Sequence, residues 1–597
     1  MYFHEICANV HLSRKPRSSI VDCSADLQAA MQTISATRPV IHEARREETK
    51  MTSLTVGQSV ADLANPYHGY DIASWIVELA RRRGAHPLLV WEPFEGPSRT
   101  YTYLGFLDTV RKLAGGLAQR GVKPGERVIV HMENCPETIL MRFACAWAGA
   151  VCVATNPLSA GPELEYFAQA TGAVCAVTQP KFAGLFAEHC PGLSWVAVLD
   201  HVPVDPAQER AVASMVPFSA LLGDALAQRP ADPSAPASVM FTTGSTSRAK
   251  GVVWTHANVL WAAEVNARQQ GLREDDTHVL FLPLFHVVGL SWCFFSTMWA
   301  GGTIVLQPGF SRSRYWPVVM KHNATVGSHV HFTLAALRSE PVPAHAFRLW
   351  VTSTHDHAAA AHYKVGMVAG WGMTEVLIQV LVSNPEQGSL TGGIGRPSLY
   401  YDVKVVDDDG RQVRPGEAGH LLVRGRRGLS VFSEYDGDSA ATETAFDDEG
   451  YLKTGDRVRL HEDGWYAFTD RVKDVIKVRG ENVSAAEVEA AILKVLGVRE
   501  VAVVGKPCDM QGETVVAFVG HSSELSGQQV EALHDTIHEH CTRNLSQFKI
   551  PVEIHVVAKL PRIGIGKLAK ATLREWASAG NGQKPGQGTP RSAFEAE

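Results

Sequence analysis

The chain has 597 residues, of which 45% are hydrophobic and 20% are charged, and its formal net charge is −6. The apolar share is ordinary for a folded protein and excludes wholesale disorder, while the small negative charge argues against non-specific binding to nucleic acid or anionic membrane. The ten cysteines form no C-x-x-C pair, which is typical of a reducing compartment. No apolar stretch is long enough to span a membrane, so we expect a cytoplasmic protein.

The two ends of the chain differ in composition from the rest. Residues 1–50 mix Arg, Lys, Glu and Ser without sustained periodicity, and residues 578–597 are rich in Gly, Pro, Gln and Ser. Both segments are predicted to be disordered, because such compositions bury too little apolar surface to fold. A start codon upstream of Met51 is an alternative explanation for the first fifty residues.

Helical and strand patterns alternate after the N-terminal segment. The spacing of apolar residues predicts a strand–helix–strand unit, and therefore a mostly parallel sheet covered on both faces. Gly121 and Gly149 are the expected helix stops, and Pro162 is expected near a helix start. The predicted elements are a helix over 104–120, a strand over 127–130, a helix over 137–148 and a strand over 151–154.

The pattern restarts after Asp470. Ser484 and Glu487 form a predicted capping box at the start of a helix, and residues 501–504 follow as a strand. We therefore place a domain boundary at residues 470–473. The predicted fold class is α/β, with a large N-terminal domain of βαβ-type sheets over 51–470 and a small mobile C-terminal α/β domain over 471–577.

The segment TTGSTSRAKG at 242–251 follows an apolar strand pattern and carries the clearest chemical signal. Its glycines allow backbone N–H groups to turn toward an oxyanion, its hydroxyls add donors, and Lys250 adds positive charge. It does not fit the Walker pattern G-x-x-x-x-G-K-[ST]. The segment is interpreted as a polyphosphate cradle, and the alternative is a flexible surface loop. The candidate phosphate-binding residues are Thr242, Thr243, Gly244, Ser245, Thr246 and Lys250.

This segment resembles the phosphate loop of the adenylate-forming enzymes, which include acyl-CoA synthetases, 4-coumarate-CoA ligases, luciferases and the adenylation domains of peptide synthetases. The resemblance covers roughly residues 60–577 and is strongest to the carnitine/crotonobetaine-CoA ligase-like branch. Further motifs of the family occur in the same order. They are LPLFHVVGL at 282–290, WGMTE at 371–375, IGRP at 394–397, TGD at 454–456, DRVKDVIKVRGEN at 470–482 and LPRIGIGKLAK at 560–570.

The resemblance implies a role for each matched residue in the first half-reaction, which joins a carboxylate to the α-phosphate of ATP. Glu375 would hold Mg²⁺ and Thr374 would contact the α-phosphate. Lys567 would bridge the substrate carboxylate and the α-phosphate, where an ammonium stabilises the charge that develops on phosphorus. The nucleoside would be held by Trp371, which stacks on adenine, and by the ribose partners Asp456 and Arg471.

The resemblance also implies residues for the second half-reaction, in which coenzyme A takes the acyl group. His286 would gate the passage between the acyl pocket and the thiol tunnel, although a packed core histidine is the alternative. Lys473 matches the family's hinge position, and Gly480 matches the glycine that lets the pantetheine chain pass. Lone lysines, carboxylates and glycines at such positions are otherwise ordinary surface groups.

The sequence departs from the family pattern at several positions. Ala249 replaces a proline of the phosphate loop, and Ser247 replaces its last glycine. Trp371 replaces the usual Tyr, so stacking is kept and a phenol hydroxyl is lost. Residues 351–370 lack the usual adenine-binding strip, and His331 stands where proline is common. The adenine pocket is therefore the site in which the family pattern is weakest.

These observations predict an ATP- and Mg²⁺-dependent carboxylic acid–CoA ligase that forms an acyl-adenylate, releases pyrophosphate and then makes a thioester with coenzyme A. One alternative is an adenylating enzyme that delivers its acyl group to a carrier protein. Another is a nucleotide-binding relative without catalysis. An α-amino acid substrate is disfavoured, because Val287 occupies the position where relatives that activate amino acids carry an acid.

Overall fold

The computed structural model describes residues 65–242, 249–384, 390–471, 475–521, 527–557, 560–563 and 567–579. Apart from residues 578 and 579, the predicted disordered segments lie outside this part of the chain. The domain boundary proposed at residues 470–473 stays a prediction, because residues 472–474 also lie outside it.

Strands and helices alternate along most of the described chain. The strands are β1 (Pro87–Trp91), β2 (Arg99–Thr102), β3 (Arg127–His131), β4 (Val151–Ala154), β5 (Cys175–Thr178), β6 (Trp195–Val198), β7 (Val216–Pro217), β8 (Pro236–Thr242), β9 (Lys250–Thr255), β10 (Thr277–Leu280), β11 (Thr303–Leu306), β12 (Val326–His329), β13 (Leu349–Thr352), β14 (Gly366–Trp371), β15 (Leu381–Val382), β16 (Gly393–Pro397), β17 (Asp402–Val406), β18 (Ala418–Arg424), β19 (Glu434–Tyr435), β20 (Leu452–Leu460), β21 (Tyr466–Arg471), β22 (Val475–Val478), β23 (Glu481–Ser484), β24 (Val498–Cys508), β25 (Gly512–His521), β26 (Glu553–Val557), β27 (Arg562–Ile563) and β28 (Lys567–Leu568). The α-helices are α1 (Ile72–Arg83), α2 (Tyr103–Gln119), α3 (Pro136–Ala148), α4 (Gly161–Thr171), α5 (Ala183–His189), α6 (Glu209–Ala213), α7 (His256–Gln269), α8 (Ser296–Ala300), α9 (Arg312–Lys321), α10 (His331–Leu337), α11 (His357–Tyr363), α12 (Ser439–Ala445), α13 (Ala485–Ile492), α14 (Gly527–Asn544) and α15 (Lys570–Ser578). Shorter 3₁₀ turns span Pro180–Phe182, Pro206–Gln208, Phe218–Leu221 and Gln547–Lys549, and a π-helix spans Val288–Phe295.

The predicted strand–helix–strand unit is confirmed. Strand β4 has the predicted bounds, and helix α3 starts one residue earlier than predicted because Pro136 occupies its first turn. Gly149 ends that helix with φ 79°, a left-handed conformation that glycine adopts without a steric cost. Strands β3 and β4 pair in parallel, as the crossover through α3 requires.

Two large sheets form the N-terminal region of the described chain. One has eight strands in the order β19-β9-β8-β4-β3-β5-β6-β7, and the other has thirteen in the order β17-β18-β20-β21-β16-β15-β14-β13-β12-β10-β11-β1-β2. Strands β3 to β8 of the first sheet pair in parallel, whereas β9 pairs antiparallel with both β8 and β19. The carboxyl end of β8 therefore meets the start of β9, and this edge carries the phosphate-loop motif.

A smaller sheet follows in the C-terminal region. Strands β23, β22, β25 and β24 pair antiparallel in that order, and β26 adds to β25 in parallel. Its core, which includes Val503, Val515 and Ile537, is a cluster separate from the large hydrophobic core. The predicted α/β fold class, with a large N-terminal and a small C-terminal region, is confirmed. None of the described helices is both long and apolar enough to cross a membrane.

Candidate active site

The phosphate-loop motif begins and ends at two residues that face each other. Thr242 is the last residue of β8 and Lys250 is the first of β9, and their Cα atoms are partners across the antiparallel pair. This register brings the backbone of Lys250 back beside the start of the loop. The Tyr166 hydroxyl donates to the carbonyl oxygen of Ala249 at 2.9 Å, which fixes the end of the loop. The other predicted phosphate ligands lie outside the described residues, namely Thr243, Gly244, Ser245 and Thr246.

Thr374 and Glu375 lie in a turn that follows β14. The buried indole N–H of Trp254 donates to the carbonyl oxygen of Thr374 at 2.9 Å, and the backbone N–H of Phe432 donates to that of Glu375 at 2.7 Å. Leu377 in the same turn has φ 60°, a conformation that is costly for a residue with a branched side chain. The backbone of the turn is thus held from both sides in a geometry that the local sequence alone does not favour.

The Glu375 carboxylate is buried, with 5% of the residue exposed, and it has a specific partner. The Tyr435 hydroxyl donates to its Oε1 at 2.9 Å, and the Lys250 Nζ lies 4.5 Å from the centroid of the Tyr435 ring. Burial raises the pKa of Glu375, and the Tyr435 hydrogen bond and the Lys250 charge oppose part of that rise. A carboxylate held this way fits Mg²⁺, which proteins bind through one or two carboxylates together with substrate phosphates.

The two predicted ribose ligands lie on neighbouring strands. Asp456 of β20 and Arg471 of β21 are Cα partners in the antiparallel pair, so the fold brings their backbones together. The indole N–H of Trp371 donates to Asp456 Oδ2 at 2.7 Å, and Trp371 is itself buried. Trp371 therefore orients the Asp456 carboxylate, whereas ribose binding by Asp456 and stacking of Trp371 on adenine stay predictions.

His286 lies just before the π-helix, a rare element that is common at functional sites. The backbone N–H of Val288 donates to its Nδ1 at 3.3 Å, which leaves the ring proton on Nε2. Burial, with a smaller contribution from the charge of Lys477, lowers the pKa of His286 to about 4. The ring is therefore neutral at physiological pH and can donate a hydrogen bond from Nε2.

A turn of the small sheet reaches the same region. The hairpin of β22 and β23 closes through Arg479 and Gly480, with φ 53° and 93°, which is the left-handed pair typical of a tight two-residue hairpin loop. Glu481 and Asn482 follow this turn. Burial raises the pKa of Glu481 to about 7, and the nearby Lys549 charge opposes part of that rise.

The structure joins these elements in one cavity of about 760 Å³. Glu481, Asn482 and Lys549 of the small region line it together with residues of the large region. The predicted site residues that line it are Thr242, Lys250, His286, Thr374, Glu375 and Asp456. Lys473 lies outside the described residues; Arg471 lies in β21 and Lys567 in β28, and their side chains are outside the described part.

Several residues of the site were not predicted from the sequence. Tyr435, Trp254 and Lys549 are not among the site residues that the motifs indicated. The position of Lys549 between the apolar residues Phe548 and Ile550 is a signal that could have drawn attention to it. Glu481 lies inside a recognised motif, but nothing in its spacing indicates a raised pKa. These residues enter the site through long-range contacts, which sequence spacing does not reveal.

Comparison with known proteins agrees with this geometry. A family model described as AMP-binding enzyme matches residues 77–435, and one described as AMP-binding enzyme C-terminal domain matches residues 487–567. The chain belongs to the AMP-binding enzyme family, which confirms the resemblance to adenylate-forming enzymes. It is 29% identical over 510 residues to a crotonobetaine/carnitine–CoA ligase of Salmonella paratyphi A, covering 83% of this chain and 97% of the relative.

Two solved structures of one enzyme, the o-succinylbenzoate CoA synthetase of Bacillus subtilis, are similar to different degrees. A double mutant bound to a product analogue, OSB-NCoA, matches with a TM-score of 0.71 at 25% identity, covering 84% of this chain and 98% of that chain. The complex with the acyl-adenylate intermediate OSB-AMP matches with a TM-score of 0.58 at 26% identity, covering 84% and 97%. The two TM-scores differ although the two sequence identities are nearly the same, so sequence divergence does not account for the lower score.

Proposed function

We propose that this protein is an ATP-dependent carboxylic acid–CoA ligase that works through an acyl-adenylate. One observation carries the proposal. The phosphate-side residues Lys250 and Glu375, the neutral His286 and the β23 residues Glu481 and Asn482 all line a single cavity. A cavity lined both by phosphate-side residues and by residues of the small region suits two reactions performed in succession.

In the first step a carboxylate oxygen of the acid attacks the α-phosphorus of ATP, and the bond from that phosphorus to pyrophosphate breaks. Lys250 and the phosphate loop would hold the departing phosphates, and Asp456 would accept from the ribose hydroxyls. Glu375 would hold Mg²⁺, which when bound neutralises the phosphate oxygens, and Thr374 would contact the α-phosphate. Bringing the reactants together in one orientation supplies much of the rate enhancement in such a reaction.

In the second step the thiol sulfur of coenzyme A attacks the acyl carbon, the bond from that carbon to the phosphate oxygen of AMP breaks, and the thiol proton passes to solvent. The neutral His286 can donate from Nε2 without adding charge to the passage. A Cβ atom built on Gly480 meets nothing within 4 Å, so the glycine faces open space. This supports the proposed passage of the pantetheine chain beside Gly480.

The lining next to His286 indicates the class of acid. Phe285, Val287, Val288 and Met373 line the cavity there, and all are apolar. We therefore propose an acid whose carboxyl group is attached to an apolar segment, without an α-ammonium group. The name of the Salmonella relative adds crotonobetaine and carnitine to the acids worth testing.

A substrate screen tests the function. Pyrophosphate release and thioester formation would be measured with ATP, Mg²⁺ and a panel of acids that contains crotonobetaine, carnitine, o-succinylbenzoate, fatty acids and amino acids, each with and without coenzyme A. We expect at least one acid to give coenzyme A-dependent thioester. Pyrophosphate release without thioester would instead favour transfer to a carrier protein, and release of neither product for any acid would contradict the proposal.

A further inference from the structure

A buried lysine connects the small region to the large one. Lys549, at the end of the 3₁₀ turn after α14, is only 4% exposed. Its Nζ donates to Glu163 Oε1 and, at 2.8 Å, to Glu487 Oε1. Ser546, from the same segment, donates through its hydroxyl to Glu163 Oε2 at 2.5 Å. We refer to Lys549, Ser546, Glu163 and Glu487 as the interdomain clasp.

Glu163 is held within the large region by contacts that are independent of the clasp. It occupies the first turn of α4, where the helix dipole favours a carboxylate, and its Oε2 accepts from the backbone N–H of Ala160 at 2.9 Å. The other oxygen is left for the lysine. Glu163 therefore presents a preoriented anion, and only a cation placed by the small region completes the pair.

The same lysine also holds the element that reaches the cavity. Glu487 lies in the first turn of α13, which starts directly after β23, and β23 begins with the cavity-lining Glu481. The clasp thus links α4 of the large region to the hairpin that carries Gly480. A lysine buried between two carboxylates keeps its charge, and the two carboxylates raise the pKa of Lys549 although burial lowers it.

The clasp belongs to one relative arrangement of the two regions. The fold is more similar to the o-succinylbenzoate CoA synthetase bound to a product analogue than to the same enzyme bound to an acyl-adenylate, with TM-scores of 0.71 and 0.58. Two forms of one enzyme differ in sequence by little, so the two scores reflect arrangement. The structure in which Lys549 contacts both regions is therefore similar in arrangement to the complex with the product analogue.

We propose that Lys549 is a positioning residue for thioester formation: by pairing with Glu163 it holds the small region so that the start of β23, with Glu481 and Asn482, stays in the cavity. This inference rests on the proposed function. Lys549 takes no part in the chemistry at phosphorus. Adenylate formation therefore does not depend on it, whereas the attack of coenzyme A does.

The two half-reactions of the full-length protein test this role. Lys549→Met, Glu163→Gln and the double variant would be compared with the wild type for pyrophosphate release and for thioester formation from the synthetic adenylate of the most active acid. We expect Lys549→Met to slow thioester formation about tenfold or more and to change adenylation less than about twofold. Because both residues act through one contact, the double variant should be little slower than Lys549→Met alone.

The matched control is Lys506→Met. Lys506 Nζ pairs with Glu553 Oε1 at 2.7 Å, but both residues belong to the small sheet, so this pair does not join the two regions. The control should leave both half-reactions unchanged. An equal loss of both steps in Lys549→Met, no loss of either, or strictly additive effects in the double variant would overturn the proposal.

Hydrogen exchange separates a failure of this proposal from a failure of the proposed function. If the wild type makes no thioester from any acid, the function is wrong, and the clasp is then judged by exchange of the amides at residues 160–164 and 479–482. Lys549→Met should accelerate exchange at both segments, because the clasp joins them. Unchanged exchange at either segment would refute the clasp whatever the catalytic result.

Discussion

The hydrogen bond from Tyr435 to Glu375 offers a sharp test of the site. Tyr435→Phe removes one hydroxyl, keeps the buried ring and leaves the aromatic face beside Lys250 in place. The hydroxyl favours the ionised form of Glu375, since it donates to Oε1 at 2.9 Å. Its loss should therefore raise the pKa of Glu375 further above its usual range, beyond the rise that burial already causes.

The size of the effect follows from the type of bond. A hydrogen bond to a charged group contributes about 1.5–3 kcal/mol, and about 1.4 kcal/mol corresponds to tenfold in an equilibrium. If ionised Glu375 holds the metal, the acid limb of the adenylation rate should move to higher pH by about one pH unit or more. At a pH on that limb the rate should fall roughly tenfold, and excess Mg²⁺ should restore part of it.

Pyrophosphate release as a function of pH and of Mg²⁺ concentration measures this effect. The matched control is Tyr70→Phe, which removes a tyrosine hydroxyl that donates to Glu78 Oε2 at 2.7 Å in an exposed pair. The control profile should coincide with that of the wild type. If Tyr435→Phe leaves the acid limb and the Mg²⁺ requirement unchanged, Glu375 does not act through its ionised carboxylate, and the assignment of this residue as the metal ligand is wrong.

Three further outcomes follow from single residues of the proposed site. Glu375→Gln should slow adenylation about a hundredfold. Burial raises the pKa of Glu375 in the folded state, so its contribution to wild-type stability is present at low pH and is lost as the pH rises through the folded pKa. The thermal stability of the variant relative to the wild type should therefore increase from pH 4 toward neutrality, and a difference that does not change with pH would contradict the burial argument. Burial raises the pKa of Glu481 to about 7, so the rate of thioester formation should change with pH near 7. Stopped-flow rates should show that this change is absent in Glu481→Gln. Asn tolerates the left-handed backbone conformation of Gly480, so Gly480→Asn should keep the hairpin turn. The variant should slow thioester formation from preformed adenylate without slowing pyrophosphate release. If both steps slow by the same factor relative to the wild type, the pantetheine chain does not pass beside Gly480.

Local signals in the sequence predicted the local structure. The bounds of β4, the helix stop at Gly149 and the proline near the start of α4 depend on residues within a few positions of each other. The pairing of distant strands depends on no such signal. Tyr435 reaches Lys250 because β19 pairs with β9, with Tyr435 opposite Val252, across more than 180 residues of sequence. No spacing rule could have placed that hydroxyl on Glu375.

The predicted capping box shows where a local motif stops being informative. Ser484 accepts from the backbone N–H of Glu487 at 3.3 Å, as the motif requires, and this half of the prediction is confirmed. The Glu487 carboxylate accepts from Lys549. A buried cation offers this carboxylate a stronger partner than a backbone N–H does, because both members of the pair are charged. The motif predicted the helix start correctly and gave no indication of the clasp.

The cavity therefore contains two ionic clusters that share no residue, and their independence can be measured. Tyr435 and Glu375 lie beside Lys250, on the side proposed to bind phosphate, whereas Lys549 and Glu163 join the hairpin region to α4. Mutations at sites without shared partners usually add in free energy. The double variant Tyr435→Phe/Lys549→Met should lose adenylation by the factor of Tyr435→Phe alone and thioester formation by the factor of Lys549→Met alone. If either half-reaction rate of the double variant differs from this expectation by more than about threefold, Glu375 and the clasp are coupled. The two steps would then not be governed by separate parts of the cavity.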